Sequence, residues 1–148
     1  MMKDLTPYPL RNSLGFRLQR TFLKLRQAVN ASFRAQGHDI TVDQWSVLNL
    51  LWEADGRTPV ELAAHLDKDR PNVTRLVETL VDKGFVRRSP DADDRRSYKV
   101  FLTEQGAGFK ETLIPIPARI LTDACRELSQ EQVDELFAML DSIHSNTG

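Results

Sequence analysis

Two segments of this sequence are rich in side chains that donate hydrogen bonds to nucleic-acid bases. An arginine can donate two hydrogen bonds to one guanine, and an asparagine can pair with adenine, each contact giving about 1–3 kcal/mol of discrimination. The first segment occupies the opening turns of a predicted helix: Arg70, Pro71, Asn72, Thr74 and Arg75. The second holds Arg95 and Arg96 in a polar loop. We therefore expect base and phosphate contacts from both segments.

The charge of the surrounding sequence favours this reading over the ordinary alternative, which is a polar helix face that is merely solvated. Residues 83–99 carry six basic side chains against three acidic ones, whereas the whole chain has a net charge of −1. A local excess of positive charge favours a polyanionic partner.

The loop that holds Arg95 and Arg96 lies between two strand-like segments, 85–88 and 98–102. Both are rich in aromatic and β-branched residues, which predicts a two-stranded ribbon. Arginines at a ribbon tip suit a minor groove, because its negative potential attracts guanidinium groups. We expect Arg96 in the groove and Arg95 on a phosphate, with the reverse assignment left open. A solvated hairpin tip is the alternative.

Asp94 is the unusual residue of this ribbon. A carboxylate beside DNA repels the phosphates unless it is itself paired. We predict that Asp94 braces an arginine of the loop through a bidentate contact with the guanidinium group.

The predicted helices around these segments have clear boundaries. Thr41 and Thr58 each open a capping box, with Gln or Glu three residues later. A tight polar turn at 67–69 leads into a helix over 70–83 that stops at Gly84. Two short helices, a tight turn and a ribbon are typical of a helix-turn-helix with a wing.

Longer helices are predicted at both ends of the chain. Apolar residues recur every three or four positions over 12–35, up to Gly37. A helix of that length exceeds what a small domain needs, which favours a second chain as partner for its apolar face. Thr103 can cap another helix, which Pro115 and Pro117 must kink or break. A capping box at Ser129 opens the last helix.

Other functional classes find little support in the sequence. There is no Gly-rich phosphate loop and no G-x-S-x-G motif, which disfavours an enzyme. His38, His65, His144 and Cys125 lack metal-ligand spacing, so we predict neither a metal nor a cofactor. Cys125 is expected to be a small buried hydrophobe. With one cysteine, no signal-peptide-like start and no apolar run of about 18–20 residues, we expect a cytoplasmic protein.

Four stretches resemble the MarR family of bacterial transcription regulators: ELA with the leucine at 66, RPNVTRLV over 70–77, DRR over 94–96 and LTEQG over 102–106. The resemblance covers nearly the whole chain. The D-x-R wing followed by L-T-x-x-G is fairly specific, whereas E-L-A alone is weak.

This resemblance implies a winged helix-turn-helix and an obligate homodimer in which the first, fifth and sixth helices of both chains interlock. It also implies pseudo-palindromic operators and control by small anionic or phenolic ligands or by thiol oxidation. By position, Asn72 and Arg75 match base contacts of the recognition helix, Arg96 matches the minor-groove arginine of the wing, and Asp94 matches its supporting carboxylate.

Two features depart from the family pattern. Pro115 and Pro117 fall in the fifth helix, which is usually long and continuous, so its course and the spacing of the two DNA-binding lobes are not set by the resemblance. The oxidation-sensing branch has a cysteine near the N-terminus that this sequence lacks, which disfavours thiol regulation.

The resemblance also implies a ligand pocket between the dimerisation helices and the winged-helix lobe. There, Trp45 with Arg17 or Arg20 would hold an aromatic carboxylate. The alternative, which the apolar stripe of their helix favours, is that Trp45 and Trp52 belong to the core.

We therefore predict a mainly α chain with a small β-ribbon. Residues 37–103 form the winged helix-turn-helix DNA-binding domain, and residues 1–36 and 104–148 form a helical dimerisation region. The predicted function is a homodimeric, sequence-specific transcriptional regulator that binds double-stranded DNA; its release by a small aromatic or anionic effector is left open. The alternative is a winged-helix module for protein interaction, without sequence-specific DNA binding.

Overall fold

The computed structural model describes residues 6–148. Lys3 and Asp4, both near the start of the basic N-terminal segment, lie outside the described residues. A 3-10 turn at Leu10–Asn12 precedes the regular elements. These are α1 (Leu14–Ala35), α2 (Val42–Glu53), α3 (Pro59–Leu66), α4 (Arg70–Asp82), β1 (Val86–Pro90), β2 (Tyr98–Leu102), α5 (Glu104–Gly108), α6 (Lys110–Leu113), α7 (Pro115–Ala124) and α8 (Gln130–Asn146). A mainly α chain with a two-stranded ribbon is confirmed.

The predicted helix boundaries follow local capping chemistry. Complete capping boxes are present at Thr41, Thr58 and Ser129, each with side-chain and backbone hydrogen bonds in both directions. Gly37 and Gly84 adopt a φ of +80° after α1 and α4, a left-handed conformation that glycine adopts without strain. The long first helix begins two residues later than predicted, since Ser13 caps it by accepting the amide of Phe16.

The core lies in the winged-helix lobe. Fully buried side chains come from α2, α3, α4 and both strands, among them Leu48, Leu62, Val77 and Val100. The C-terminal half of α1 adds Val29 and Phe33, and the helices after the ribbon add Leu113 and Ile116. In contrast, the N-terminal half of α1 contributes no buried side chain among the described residues.

The ribbon differs slightly from its predicted extent. The antiparallel strands pair from Val86 opposite Leu102 to Pro90 opposite Tyr98, so the first strand begins after Phe85 and extends two residues beyond the predicted arm. Phe85 is excluded because its amide donates to the Leu80 carbonyl and closes α4. Pro90 is tolerated at a strand end, where its missing amide costs no ladder hydrogen bond.

The ribbon and the following helices meet at a closely packed junction around Thr103 and Gly106. Thr103 donates its amide to Phe85 and its hydroxyl to Gly84, and its Oγ1 accepts the amide of Gly106. A Cβ atom on Gly106 would lie 2.0 Å from the carbonyl oxygen of Phe85. The Nε1 of Trp52 donates to the Gly106 carbonyl at 3.0 Å, which fixes α2 to the same point. Only glycine fits at this junction.

The predicted fifth helix is divided into α5, α6 and α7. The break before Pro115 was expected, because Pro115 and Pro117 have no amide hydrogens for the preceding turn. A second disturbance, at Phe109, was not predicted. Phe109 and Ile114 both keep helical backbone angles, so the chain bends at these points without reversing direction. The result is a kinked path that packs α7 against α1.

Within residues 6–148, no helix combines the length and apolar character needed to cross a bilayer. Within the same residues, His, Cys, Asp and Glu side chains form no group of three that could hold a metal ion.

We expect Gly106→Ala to lower the free energy of unfolding by about 1–3 kcal/mol, because the added methyl group collides with a backbone oxygen that cannot move away cheaply. Gly108→Ala is the matched control in the same helix. Nothing lies within 4 Å of the Cβ position there, so the alanine should be neutral or stabilise by about 0.5–1 kcal/mol. Denaturant unfolding of both variants checks this, and equal stabilities would contradict the described junction.

Candidate nucleic-acid interface

The start of α4 presents the predicted base readers to solvent. Val73, Val77 and Leu80 are buried and hold the helix on the core. The opposite side exposes Arg70, Pro71 and Arg75, with Asn72 and Thr74 half-buried: the five residues that the sequence analysis selected. The structure brings these residues together in the first turns of one helix. We call them, with Arg95 and Arg96 of the ribbon tip, the candidate DNA face.

A carboxylate that was not selected from the sequence organises the start of α4. Asp69 is the N-cap, and its Oδ1 accepts the amide of Asn72 at 2.8 Å. Its Oδ2 accepts the side-chain Nδ2 of Asn72 at 2.9 Å. The Oδ1 of Asn72 in turn accepts a hydrogen bond from Nη2 of Arg75. The signal for Asp69 was available, since an aspartate just before a helical apolar run is an N-cap candidate.

Thr74 is less available than predicted. Its hydroxyl donates to the Arg70 carbonyl at 3.0 Å, one helical turn back. The oxygen can still accept a hydrogen bond from a donor on DNA, but the donor function of Thr74 is used within α4.

A second carboxylate connects α1 and α2 to the turn that precedes α4. Asp43 contacts Nη2 of Arg26 at 2.5 Å and Nζ of Lys68 at 3.2 Å. The three side chains are 23–32% exposed, so solvent screens the cluster less than an ion pair on the open surface. Because Arg26 belongs to α1 and Lys68 lies just before Asp69, the cluster sets where α4 begins relative to the first helix.

The ribbon tip is held by aspartate side chains that accept backbone amides. Asp91 accepts the amide of Asp93 at 3.1 Å, and Asp94 accepts that of Arg96 at 2.9 Å. In this structure the brace from Asp94 is on the backbone, and Asp94 forms no salt bridge with a guanidinium group within residues 6–148. A carboxylate two residues before an amide readily closes such a turn, without ordering a long side chain.

Arg95 and Arg96 are both exposed at this tip. Neither takes part in a salt bridge within residues 6–148. Their charges therefore remain available to an external anion.

Two further arginines lie along the ribbon. The guanidinium carbon of Arg87 lies 4.8 Å from the ring centre of Phe101, and that of Arg88 lies 5.8 Å from the ring centre of Tyr98. Stacking on aromatic faces orders these cations while leaving them exposed. The stacking of Arg87 on Phe101 could not be predicted from the sequence, because the strand register that places them opposite each other was not known.

Within residues 6–148, the three residues predicted to line a ligand pocket do not border one common cavity. Arg17 borders a large apolar groove and donates to Asn12, whereas Arg20 borders a separate hollow between α1 and α7. Trp45 packs against the core, and its buried Nε1 has no hydrogen-bond partner within residues 6–148. The tryptophan belongs to the core, as the alternative held, because the inner side of α2 faces the lobe.

A different cavity, of about 270 Å³, lies where the α1–α2 loop, the end of α4 and α6 meet. His38 and Phe85 both pack edge-on against the ring of Phe109, with ring centres 6.0 and 4.9 Å apart. Lys83 also lines the cavity, and its ammonium group donates to the Asp39 carbonyl at 2.7 Å and to Gln44 Oε1 at 3.1 Å. The same ammonium group pairs with the Asp39 carboxylate at 3.5 Å. Aromatic edges beside this cation suit a small aromatic anion that takes the place of that exposed carboxylate.

The apolar groove bordered by Arg17 is much larger, about 880 Å³, and lies between α1, the end of α7 and α8. Its wall includes Phe22 and Phe137, which are 56% and 58% exposed. Cys125 lies half-buried in the same wall, less enclosed than the predicted buried hydrophobe.

Comparison with known proteins places these features in one family. The MarR family model matches residues 40–98. The transcriptional regulator TtmR of Methylorubrum extorquens is 32% identical over 75% of this chain, a match that spans 58% of TtmR. The transcriptional repressor NicR of Pseudomonas putida is 31% identical over 97% of this chain and 90% of its own length. Among solved structures, a cysteine-to-serine mutant of MarR from E. coli complexed with operator DNA superposes with a TM-score of 0.80 at 30% identity, covering 88% of this chain and 92% of the other.

Four observations point to the same family: the helix order, the two-stranded wing, the sequence match across the recognition helix, and the similarity to NicR over nearly the full length. This chain is therefore a member of the MarR family of transcriptional regulators.

Proposed function

We propose that this chain is a homodimeric regulator that binds a pseudo-palindromic DNA operator through the candidate DNA face. Asn72 and Arg75 of α4 would read base edges in the major groove, and Arg96 would enter the minor groove. The observation that carries the proposal is that exposed Arg75 and half-buried Asn72 lie at the start of a helix whose other side is fixed to the core, with Arg96 exposed at the ribbon tip. Recognition helices contact bases through the residues of their N-terminal turns.

The rival reading, a winged-helix module for protein interaction, needs no exposed arginines at the wing. Here, both tip arginines are exposed and take part in no internal salt bridge between described residues. The similarity to a MarR structure that contains operator DNA supports the same choice.

We expect binding to duplex DNA to weaken steeply as salt increases, since each neutralised phosphate releases counterions. Arg75→Ala should lose about 1–3 kcal/mol of discrimination within the half-site. Arg96→Ala should weaken binding to A·T-rich flanks more than to G·C-rich flanks. Fluorescence anisotropy at several salt concentrations, on duplexes selected from a random pool, measures all three effects.

Arg34→Ala is the control for charge removal, because Arg34 is exposed at the end of α1 and lies outside both the candidate DNA face and the apolar groove. Binding that is insensitive to salt and to sequence would overturn the regulator. Equal, sequence-independent losses from Arg75→Ala and Arg96→Ala would instead contradict only their division of roles.

The homodimer is supported by the unpartnered apolar groove. Exposed Leu14, Leu18 and Phe22 of α1 face it together with Phe137 of α8. Contiguous exposed apolar surface of this size is unusual on a monomer and is typical of an interface. Charge is complementary too. Residues 1–36 carry seven basic side chains and one acidic, whereas 120–148 carry six acidic and one basic. Opposite charges would therefore meet when α1 of one copy lies against α8 of another.

We expect sedimentation to give a dimer at micromolar concentration, and Phe137→Asp to shift it to the monomer by placing a charge in the groove. Val60→Asp is the matched control. Val60 is 55% exposed on α3 and does not line the groove, so its variant should remain a dimer. A monomeric wild-type protein would contradict the proposed assembly.

The effector site that we propose is the cavity lined by His38, Lys83, Phe85 and Phe109. It lies between the end of the recognition helix and the kinked helices that lead towards the groove, so an occupant could change the position of one relative to the other. An aromatic carboxylate fits its chemistry, with the ring against aromatic edges and the carboxylate on Lys83.

Benzoate serves as the probe. We expect millimolar benzoate to reduce the DNA affinity of the wild type, and Lys83→Met to abolish that response. Arg20→Met should retain the response, because Arg20 does not line the cavity. Anisotropy titrations with and without benzoate measure the shift. Loss of the response in Arg20→Met but not in Lys83→Met would refute the assignment of the cavity.

A further inference from the structure

The hydrogen bonds at the start of α4 all donate in one direction, from the guanidinium group of Arg75 through Asn72 to the carboxylate of Asp69. Asp69 uses both oxygens on Asn72, one on its backbone amide and one on its side-chain Nδ2. Because Nδ2 is directed to Asp69, the carbonyl oxygen of the same amide is directed away and accepts Nη2 of Arg75. The orientation of Asn72 is thereby determined, since a flipped amide would place two acceptors together at Asp69.

We propose that Asp69 is a specificity-determining positioning residue: it orients Asn72, and through Asn72 it holds the guanidinium group of Arg75 ready for base contact. This inference rests on the proposed DNA-binding function. A free arginine loses side-chain entropy when it docks on a base, so an arginine ordered beforehand discriminates better between bases.

The charge of Asp69 supports a role in specificity over a role in affinity. Asp69 is exposed at the start of the helix that would meet DNA, where a carboxylate repels phosphates of any sequence. It therefore disfavours binding to all duplexes alike. Its two hydrogen bonds with Asn72, in contrast, would favour binding only at sites where Arg75 reaches its correct base.

The contribution to helix capping can be separated from the contribution to positioning by one substitution. Asp69→Ser retains an oxygen that accepts the amide of Asn72, since serine caps helices about as well as aspartate. Serine has no second oxygen to hold Nδ2 of Asn72. The variant thus keeps the cap and removes the contact that orients the amide.

We expect Asp69→Ser to unfold close to the wild-type melting temperature and to bind an unrelated duplex at least as tightly as wild type. Its preference for the selected half-site over single-base variants at the position read by Arg75 should fall about 2- to 10-fold, the equivalent of one hydrogen bond. Asp69→Ala, which also removes the cap, should show the same loss of preference together with a lower melting temperature.

A double-mutant cycle with Arg75→Ala tests whether Asp69 acts through Arg75. If it does, Asp69→Ser changes the base preference in the wild-type background and leaves it unchanged in the Arg75→Ala background. Losses that add in the two backgrounds would show that Asp69 affects base preference without Arg75, either through its own contact with a base or through Asn72, and would overturn the proposal.

If the wild type is selective and Asp69→Ser has the same base preference, the role proposed for Asp69 would be overturned, while the proposed function would stand. If the wild type itself showed no base preference, the proposed function would fail first. The two failures are therefore distinguishable in the same set of titrations.

Discussion

The close approach of Gly106 to the carbonyl of Phe85 is the constraint on which the arrangement of this molecule depends. No side chain fits there, because a Cβ atom on Gly106 would lie 2.0 Å from that oxygen. Around this point, Thr103 donates a hydrogen bond to the carbonyl of Gly84, just after α4, and Trp52 donates one to the carbonyl of Gly106 in α5. The helix-turn-helix, the ribbon and the helices that follow are thus joined at a single place, and the direction in which α5 leaves the lobe is fixed there.

Two sets of contacts fix the position of the candidate DNA face relative to the rest of the chain. One is the core itself, where the buried side of α4 packs beneath its exposed arginines. The other is Asp43, which ties Arg26 of α1 and Lys68 of the preceding turn into one partly buried cluster. Since α1 also lines the apolar groove, a change in the proposed dimer interface would alter the position of the start of α4 through this cluster. Breaking one partner of such a pair leaves a charge without compensation, so the connection resists deformation.

What could be predicted from the sequence was governed by local chemistry. The capping boxes at Thr41 and Thr58 and the left-handed glycine at Gly84 act within a few residues, so the sequence determines them directly. The failures needed tertiary information. Arg17 and Trp45 were expected to share a pocket, but only packing decides which side of each helix faces which cavity. Asp94 had two suitable partners, a backbone amide and a guanidinium group, and the nearer one is engaged here.

Asp94 is also one of three aspartates that recur at the candidate DNA face, and their contacts explain why carboxylates are tolerated on a surface that would meet a polyanion. Asp69, Asp91 and Asp94 all accept backbone amides, and Asp69 a side-chain amide as well. Each therefore fixes a segment that carries arginine. Each also lowers attraction to phosphates in general, while the segments it fixes keep their donors in place. Specific regulators must compete with a large excess of unrelated sites, so the ratio of specific to non-specific affinity matters more than affinity alone. Carboxylates that fix the backbone of arginine-bearing segments while opposing indiscriminate binding would raise that ratio from both sides.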